Sequence, residues 1–153
     1  MKLYEIPFIL GFCSINDIDM FLNHMNNARY QRELDFARVD FLIRTQIYQT
    51  IKKLKGKAIF VGAVSVRYRV PIKIFSGFKI TSKILFWDSK SIFLEQHFIG
   101  RANLIHARFL SKITVTDCSV EEVMKILLKI NSDLECIKLE KPEMIKEVSL
   151  IFN

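Results

Sequence analysis

The sequence predicts an α+β domain in which one long amphipathic helix is covered by an antiparallel sheet. Three observations carry this. An apolar stripe at helical spacing runs from Asn26 to Arg44, period-two segments separated by short turns run from Val64 to Val115, and 153 residues suit one domain. In chain order, Lys2 to Phe12 is rich in Ile, Phe, Leu and Tyr and forms a first strand, which the polar cluster Ser14 to Asp19 ends. From Asn26, Tyr30, Leu34, Ala37 and Phe41 step by four, three and four residues along one face. Arg29, Arg32, Glu33 and Arg38 supply a largely polar opposite side. The helix is expected to reach about Arg44, with a second helical piece towards Lys55 before Gly56 breaks it.

Val64, Val66, Tyr68 and Val70 then alternate with Ser65, Arg67 and Arg69, as a half-buried strand requires, and Pro71 punctuates that strand. The next run sets Ile72, Ile74, Phe78, Ile80, Ile84 and Phe86 on one face against Lys73, Lys79, Thr81 and Lys83, and reads as one long strand. Asp88 to Ser91 and Gly100 to Asn103 are turns that bound strands at Ile92 to Ile99 and Leu104 to Val115, giving an antiparallel meander. Ser119 with Glu122 three residues on is a capping-box pattern that opens a helix ending near Asn131. Lys138 to Lys146 is charged, contains Pro142 and reads as a tail. The whole of 1–153 is therefore expected to be a single domain, its core at about 2–115 and a C-terminal helix and tail at about 119–153.

Composition excludes several classes. Half the residues are apolar, which supplies a core and excludes a disordered or collagen-like chain. Three cysteines without a CxxC pair exclude a fully paired disulfide framework and common zinc-finger spacings, and suit a reducing compartment. The longest apolar stretch is about eight residues, Ile6 to Cys13, against roughly 20 for a transmembrane helix, and no signal-peptide pattern follows; a cytoplasmic protein is expected. A net charge of +7 points to a polyanionic partner, but no helix-turn-helix or RNP-like pattern supports nucleic acid, which is not expected.

The segment Asp17-Ile-Asp-Met-Phe-Leu-Asn-His-Met-Asn-Asn-Ala-Arg-Tyr30 is the most unusual. It sets two acids, a histidine and three asparagines just before a helix N-terminus, where unpaired N–H groups and the dipole favour negative charge. A carboxylate beside such donors makes a workable acyl-transfer site. The plainer interpretation is that Asn26 or Asn27 caps the helix and the acids are solvated in the loop.

The string His24-Met-Asn-Asn-Ala-Arg-Tyr30, preceded by Asp17-Ile-Asp19 and followed by Arg32-Glu-Leu-Asp-Phe-Ala-Arg38, resembles hotdog-fold thioesterases of the 4-hydroxybenzoyl-CoA thioesterase type, most nearly the thioesterase superfamily member six group. Trp87-Asp88 and Leu94-Glu95 with Phe98 add to the likeness, which covers roughly Lys2 to Val115. The resemblance implies a long central helix wrapped by a curved antiparallel sheet. It implies an acyl-CoA thioesterase with Asp19 as base or nucleophile, backbone N–H groups at Met25, Asn26 and Asn27 as oxyanion donors, and His24 and Tyr30 in the site. The loop from Asp19 to His24 is one residue longer than in the family pattern, which keeps Asp17 as the alternative acid. No cofactor is expected beyond the coenzyme A of the substrate, acyl-carrier-protein thioesters are the other substrate class, and the expected assembly is a homodimer or tetramer. The alternative function is a non-catalytic hotdog protein that binds acyl thioesters or a protein partner.

Other residues carry less. Glu33 beside Arg29 and Arg32 reads as a solvated ion pair, His97 and His106 as sheet-face residues, and the cysteines as core. Two basic groups, Lys52, Lys53, Lys55 and Lys57, and Arg67, Arg69, Lys73, Lys79 and Lys83, are either solvated faces or attractors for the phosphates of coenzyme A.

Overall fold

The computed structural model describes residues 7–21 and 23–130. In chain order they form β1 (Phe8–Phe12), α1 (Asn27–Arg44), α2 (Ile47–Lys53), β2 (Ile59–Tyr68), β3 (Gly77–Trp87), β4 (Ser91–Ile99), β5 (Ile105–Val115) and α3 (Val120–Ile130), with short 3-10 turns at Ile15–Asp17 and Arg101–Asn103. The expected tail, and the part of the expected first strand before Pro7, lie outside the described residues. The five strands make one antiparallel sheet in the order β1-β3-β4-β5-β2. β3, β4 and β5 are the expected meander. Asp88 sets its first turn, its Oδ1 accepting the N–H groups of Lys90 and Ser91 at 2.8 and 2.6 Å.

α1 starts where the sequence predicts, because Asn26 Oδ1 accepts the Ala28 N–H at 2.8 Å. It stops because Gln46 takes a left-handed conformation (φ 61°), while Thr45 Oγ1 donates to the Phe41 carbonyl at 2.7 Å; the expected helical continuation is therefore a separate α2. Two expectations are corrected. The alternation from Ile72 to Phe86 is not one strand. Phe75 has φ 58°, the Ser76 N–H closes a turn on the Lys73 carbonyl at 3.2 Å, and the strand begins only at Gly77. Residues 72–75 turn aside instead: Ile72 accepts the Met25 N–H at 2.8 Å and Phe75 donates to the Cys13 carbonyl at 2.8 Å.

Arg38, expected on the polar side of α1, is buried at 5% exposure. Its Nη1 pairs with Asp35 at 2.5 Å and its Nη2 donates to Ser111 Oγ at 3.3 Å. The inner face of the sheet explains this placement. On it, Ser82 of β3, Gln96 of β4 and Ser111 of β5 form a buried polar level, with Gln96 Nε2 donating to Ser82 Oγ at 3.0 Å. That level separates two apolar clusters. Towards the start of α1, Tyr30, Leu34 and Ala37 pack on Phe78, Ile80, Phe98 and Phe109. Towards its end, Phe41 and Leu42 join α2, α3 and Ile84, Leu94 and Ile113. The helix thus lies lengthwise on the sheet, and the first cluster holds its N-terminal turn.

Candidate functional site

The loop before α1 is built by short-range pairing. Ile18 bridges Met25, His24 bridges Lys73, the Asp19 N–H donates to the His24 carbonyl at 2.9 Å, and the Asn26 N–H donates to the Asp17 carbonyl at 2.8 Å. The tip of this loop lies beyond the Asp19–His24 closure. There Asn23 adopts φ 54°, which asparagine tolerates, and Met20 and Phe21 stand in solvent. In this antiparallel register Asp17 stands against Asn26 at the helix start and Asp19 against His24, two residues before the cap.

The two acids have different surroundings. Asp17 is 6% exposed; its Oδ2 accepts the Ser14 N–H and hydroxyl at 2.9 and 2.6 Å, and its Oδ1 faces Arg32 at 3.1 Å and Arg29 at 3.6 Å. Burial pushes this carboxyl up, but the Ser14 hydrogen bonds and the guanidinium groups of Arg32 and Arg29 together outweigh it and hold it below its ordinary value. A depressed carboxyl stabilises the fold fully above its unfolded pKa, about 4, and that contribution is lost as pH falls through the folded value. We expect the melting temperature of an Asp17→Asn variant to fall less between pH 6 and pH 3 than that of the wild type; parallel curves would contradict this. Asp19 is half-buried and has a single hydrogen bond to its side chain among the described residues, the Phe21 N–H reaching Oδ1 at 3.2 Å. It is the less committed carboxylate.

The expected oxyanion donors also separate. The Met25 and Asn26 N–H groups are bonded to Ile72 and Asp17 carbonyls, and the Ala28 N–H to the Asn26 side chain. Asn27 begins the helix, and its N–H has no acceptor among the described residues. His24 Nδ1 lies 3.1 Å from the Met25 carbonyl, a hydrogen bond when Nδ1 carries the proton. Tyr30 is buried; its hydroxyl accepts the Ile72 N–H at 3.2 Å, and its ring meets Phe98 and Tyr68 edge-on at 4.8 and 5.2 Å. It positions segment 72–75 against the loop. Cys13 is buried, and burial with the nearby Asp17 charge pushes its thiol up, which suits the core role expected of it.

Two concavities lie elsewhere, neither lined by a residue of this loop or of the first turn of α1. One, about 310 Å³, lies between α1, α2 and β2 and has apolar walls from Val39, Leu42, Ile59, Val61 and Ile113, with Arg38 and Asp35 at its side. The other, about 500 Å³, lies on the outer face of the sheet and is lined by Arg67, Arg69, Glu95, His97, Ile105 and Arg108. Sequence reading noted Arg67 and Arg69 but missed the grouping with Arg108, His97 and Glu95, which depends on strand register. Among the described residues no group of His, Cys, Asp or Glu is arranged to hold a metal ion, and no helix is long and apolar enough to cross a membrane.

Comparison with known proteins places this geometry. The model of the thioesterase-like superfamily matches residues 13–147. Protein THEM6 of Drosophila melanogaster is 46% identical over 125 residues, which cover 81% of this chain and 64% of that protein, so the chain spans somewhat less than two thirds of that relative's length. The crystal structure of YbaW, a probable thioesterase from Escherichia coli, superposes with a TM-score of 0.71 at 23% identity, over 81% of this chain and 97% of that one. SAV2348 from Staphylococcus aureus, solved in complex with CoA, superposes with a TM-score of 0.64 at 16% identity, over 83% of this chain and 84% of that one. With its antiparallel sheet laid on a long helix, the chain has the hotdog fold and belongs to the thioesterase-like superfamily.

Proposed function

We propose that this protein hydrolyses an acyl thioester of coenzyme A. The observation that carries the reading is that one loop, closed between Asp19 and His24, holds a lightly bonded carboxylate, Asp19, and leads into α1, whose first N–H, that of Asn27, is open, in a chain of this family. Asp19 takes a proton from water as its oxygen attacks the thioester carbonyl. The carbonyl oxygen, now negative, is held by the Asn27 N–H and the positive end of the helix dipole. The carbon–sulfur bond then breaks, and the thiolate recovers the proton from Asp19. His24, Met25 and Asn26 hold the loop in shape, and Tyr30 holds it from beneath. The apolar concavity beside Val39 and Leu42 lies about 18 Å along α1 from Asn27, so it suits the far end of a long acyl group, and the CoA bound to SAV2348 supports coenzyme A over a carrier protein as the thiol. Incubating the protein with a panel of acyl-CoAs and following free thiol tests the reading; no thiol release with any of them would sink it. The two committed N–H groups at Met25 and Asn26 favour a second reading, a hotdog protein that binds the thioester without cleaving it. Tight binding without thiol release would establish that one.

We also propose a homodimer. β2 is an edge of the sheet, and Phe60, Val64 and Val66 on it, with Phe36, Val39 and Ile43 on α1, are each more than a third exposed. A second copy would extend the sheet at this edge and cover both apolar surfaces, closing the acyl concavity. Light scattering at micromolar concentration is expected to give a dimer or larger; a monomer would overturn this.

A further inference from the structure

The larger concavity has a charge arrangement that the sheet itself does not require. In the register of β2 with β5, Arg67 stands directly opposite Arg108, and in that of β5 with β4, Arg108 stands directly opposite His97. The Cβ atoms of residues directly opposite across an antiparallel pair lie about 5 Å apart, and like charges on such a pair destabilise the sheet. Arg69, just beyond β2, adds a third guanidinium to the same concavity. Glu95 is the one acid lining it. Glu95 accepts a hydrogen bond from Arg108 Nε, and His97 Nε2 lies 3.3 Å from the same oxygen, buried and without hydrogen-bond geometry. Arg67 and Arg69 have no carboxylate partner among the described residues. Two unpaired guanidinium groups beside a third, around about 500 Å³ of space, suit a planar fork of donors for a phosphate or diphosphate, which stays charged at neutral pH.

The place matters as much as the charge. Tyr68, next to Arg67 and on the other face of the sheet, meets the ring of Tyr30 in the first turn of α1. The arginine cluster therefore backs the same end of the sheet that carries the open helix start.

We propose that Arg67, Arg69 and Arg108, with His97 beside them, form a phosphate-binding site on the outer face of the sheet that takes the phosphates of the substrate's coenzyme. Only the identity of the ligand rests on the thioesterase reading; the anion site rests on the register. The other basic group, around Lys52 to Lys57, is at the end of α2 and has no comparable opposed pair.

Titration calorimetry with inorganic pyrophosphate and with coenzyme A, on the whole chain, tests the site without relying on turnover. The double variant Arg67→Gln/Arg69→Gln is expected to weaken both ligands at least tenfold, whereas Lys125→Gln/Lys129→Gln on α3, with the same loss of charge, should change them less than twofold. The melting temperature of the arginine variant without ligand should stay level or rise, because a repulsion is removed; a drop of several degrees would mean that the arginines serve the fold. Pyrophosphate binding that survives the arginine variant, or that falls equally in the lysine variant, overturns the site. The two readings fail separately. If acyl-pantetheine, which has no nucleotide phosphates, is cleaved while pyrophosphate does not bind, the site is wrong and the thioesterase stands. If pyrophosphate binds through the arginines and no thioester is cleaved, the site stands alone.

Discussion

An Asp19→Asn variant is expected to lose about a hundredfold or more in turnover on whatever thioester is accepted, the usual loss when a positioned general base is removed. Its Michaelis constant should change little, because the amide keeps the size of the side chain and can still accept the Phe21 N–H. Its melting temperature should stay within about 2 °C of the wild type, since a half-buried loop carboxylate with one backbone hydrogen bond packs little surface. The comparison that gives this result meaning is Asp17→Asn. Asp17 is tied to Ser14, Arg32 and Arg29, so its loss should appear first as acid stability and only secondarily as turnover. Small and equal losses of turnover in the two variants would show that neither carboxylate acts on the substrate.

Truncating Phe98 to alanine should cost about 3 to 5 kcal/mol, the largest effect on stability expected from a single core position. Phe98 is fully buried on the inner face of β4, and its ring meets those of Tyr30 at 4.8 Å, Phe78 at 5.3 Å and Phe109 at 5.7 Å. For a domain of this size that corresponds to a fall in melting temperature of roughly 10 °C or more. Function should suffer before unfolding does. Tyr30 loses a neighbour, and through its hydroxyl it holds Ile72, which in turn accepts the Met25 N–H beside the site. Phe98→Leu, which fills most of the volume, should restore much of both. A loss below about 1 kcal/mol in the alanine variant would mean that this end of the core is loosely packed.

Local chemistry made much of the fold legible. Asn26 and Asn27 could both be recognised as caps for α1, because an Asn side chain satisfies a free N–H there whatever the rest of the chain does, and the structure gives the role to Asn26. The turn at Asp88 and the meander from β3 to β5 follow from short, regular alternation between turn residues, a pattern that acts over a few residues only. Alternation says which face a side chain takes and nothing about whether the strand continues. The left-handed Phe75 therefore broke the expected strand without disturbing its pattern. Arg38 was misplaced for a related reason. Helical spacing puts it beside Ala37 at the border of the apolar stripe, and only the buried Ser111 across from it, with Asp35 on its own helix, makes that border a tolerable place for a guanidinium.

The site divides along the same line. The segment Asp17 to Tyr30 announced itself in one dimension, because its acids, amides and helix start are neighbours along the chain. Choosing between Asp17 and Asp19 needed the tertiary structure, because what commits Asp17 is Arg29 and Arg32 from the first turns of α1 together with Ser14. Which N–H at the helix start remains open likewise depended on Ile72, far along the chain, reaching back to Met25. The cluster of Arg67, Arg108 and His97 was hidden altogether, since these residues come from three strands and meet only through register. Spacing along a chain governs capping, turns and facing; bringing distant charges to within a few ångströms of one another requires the chain to fold, and that is where the carboxylate's partners and the arginine cluster were decided.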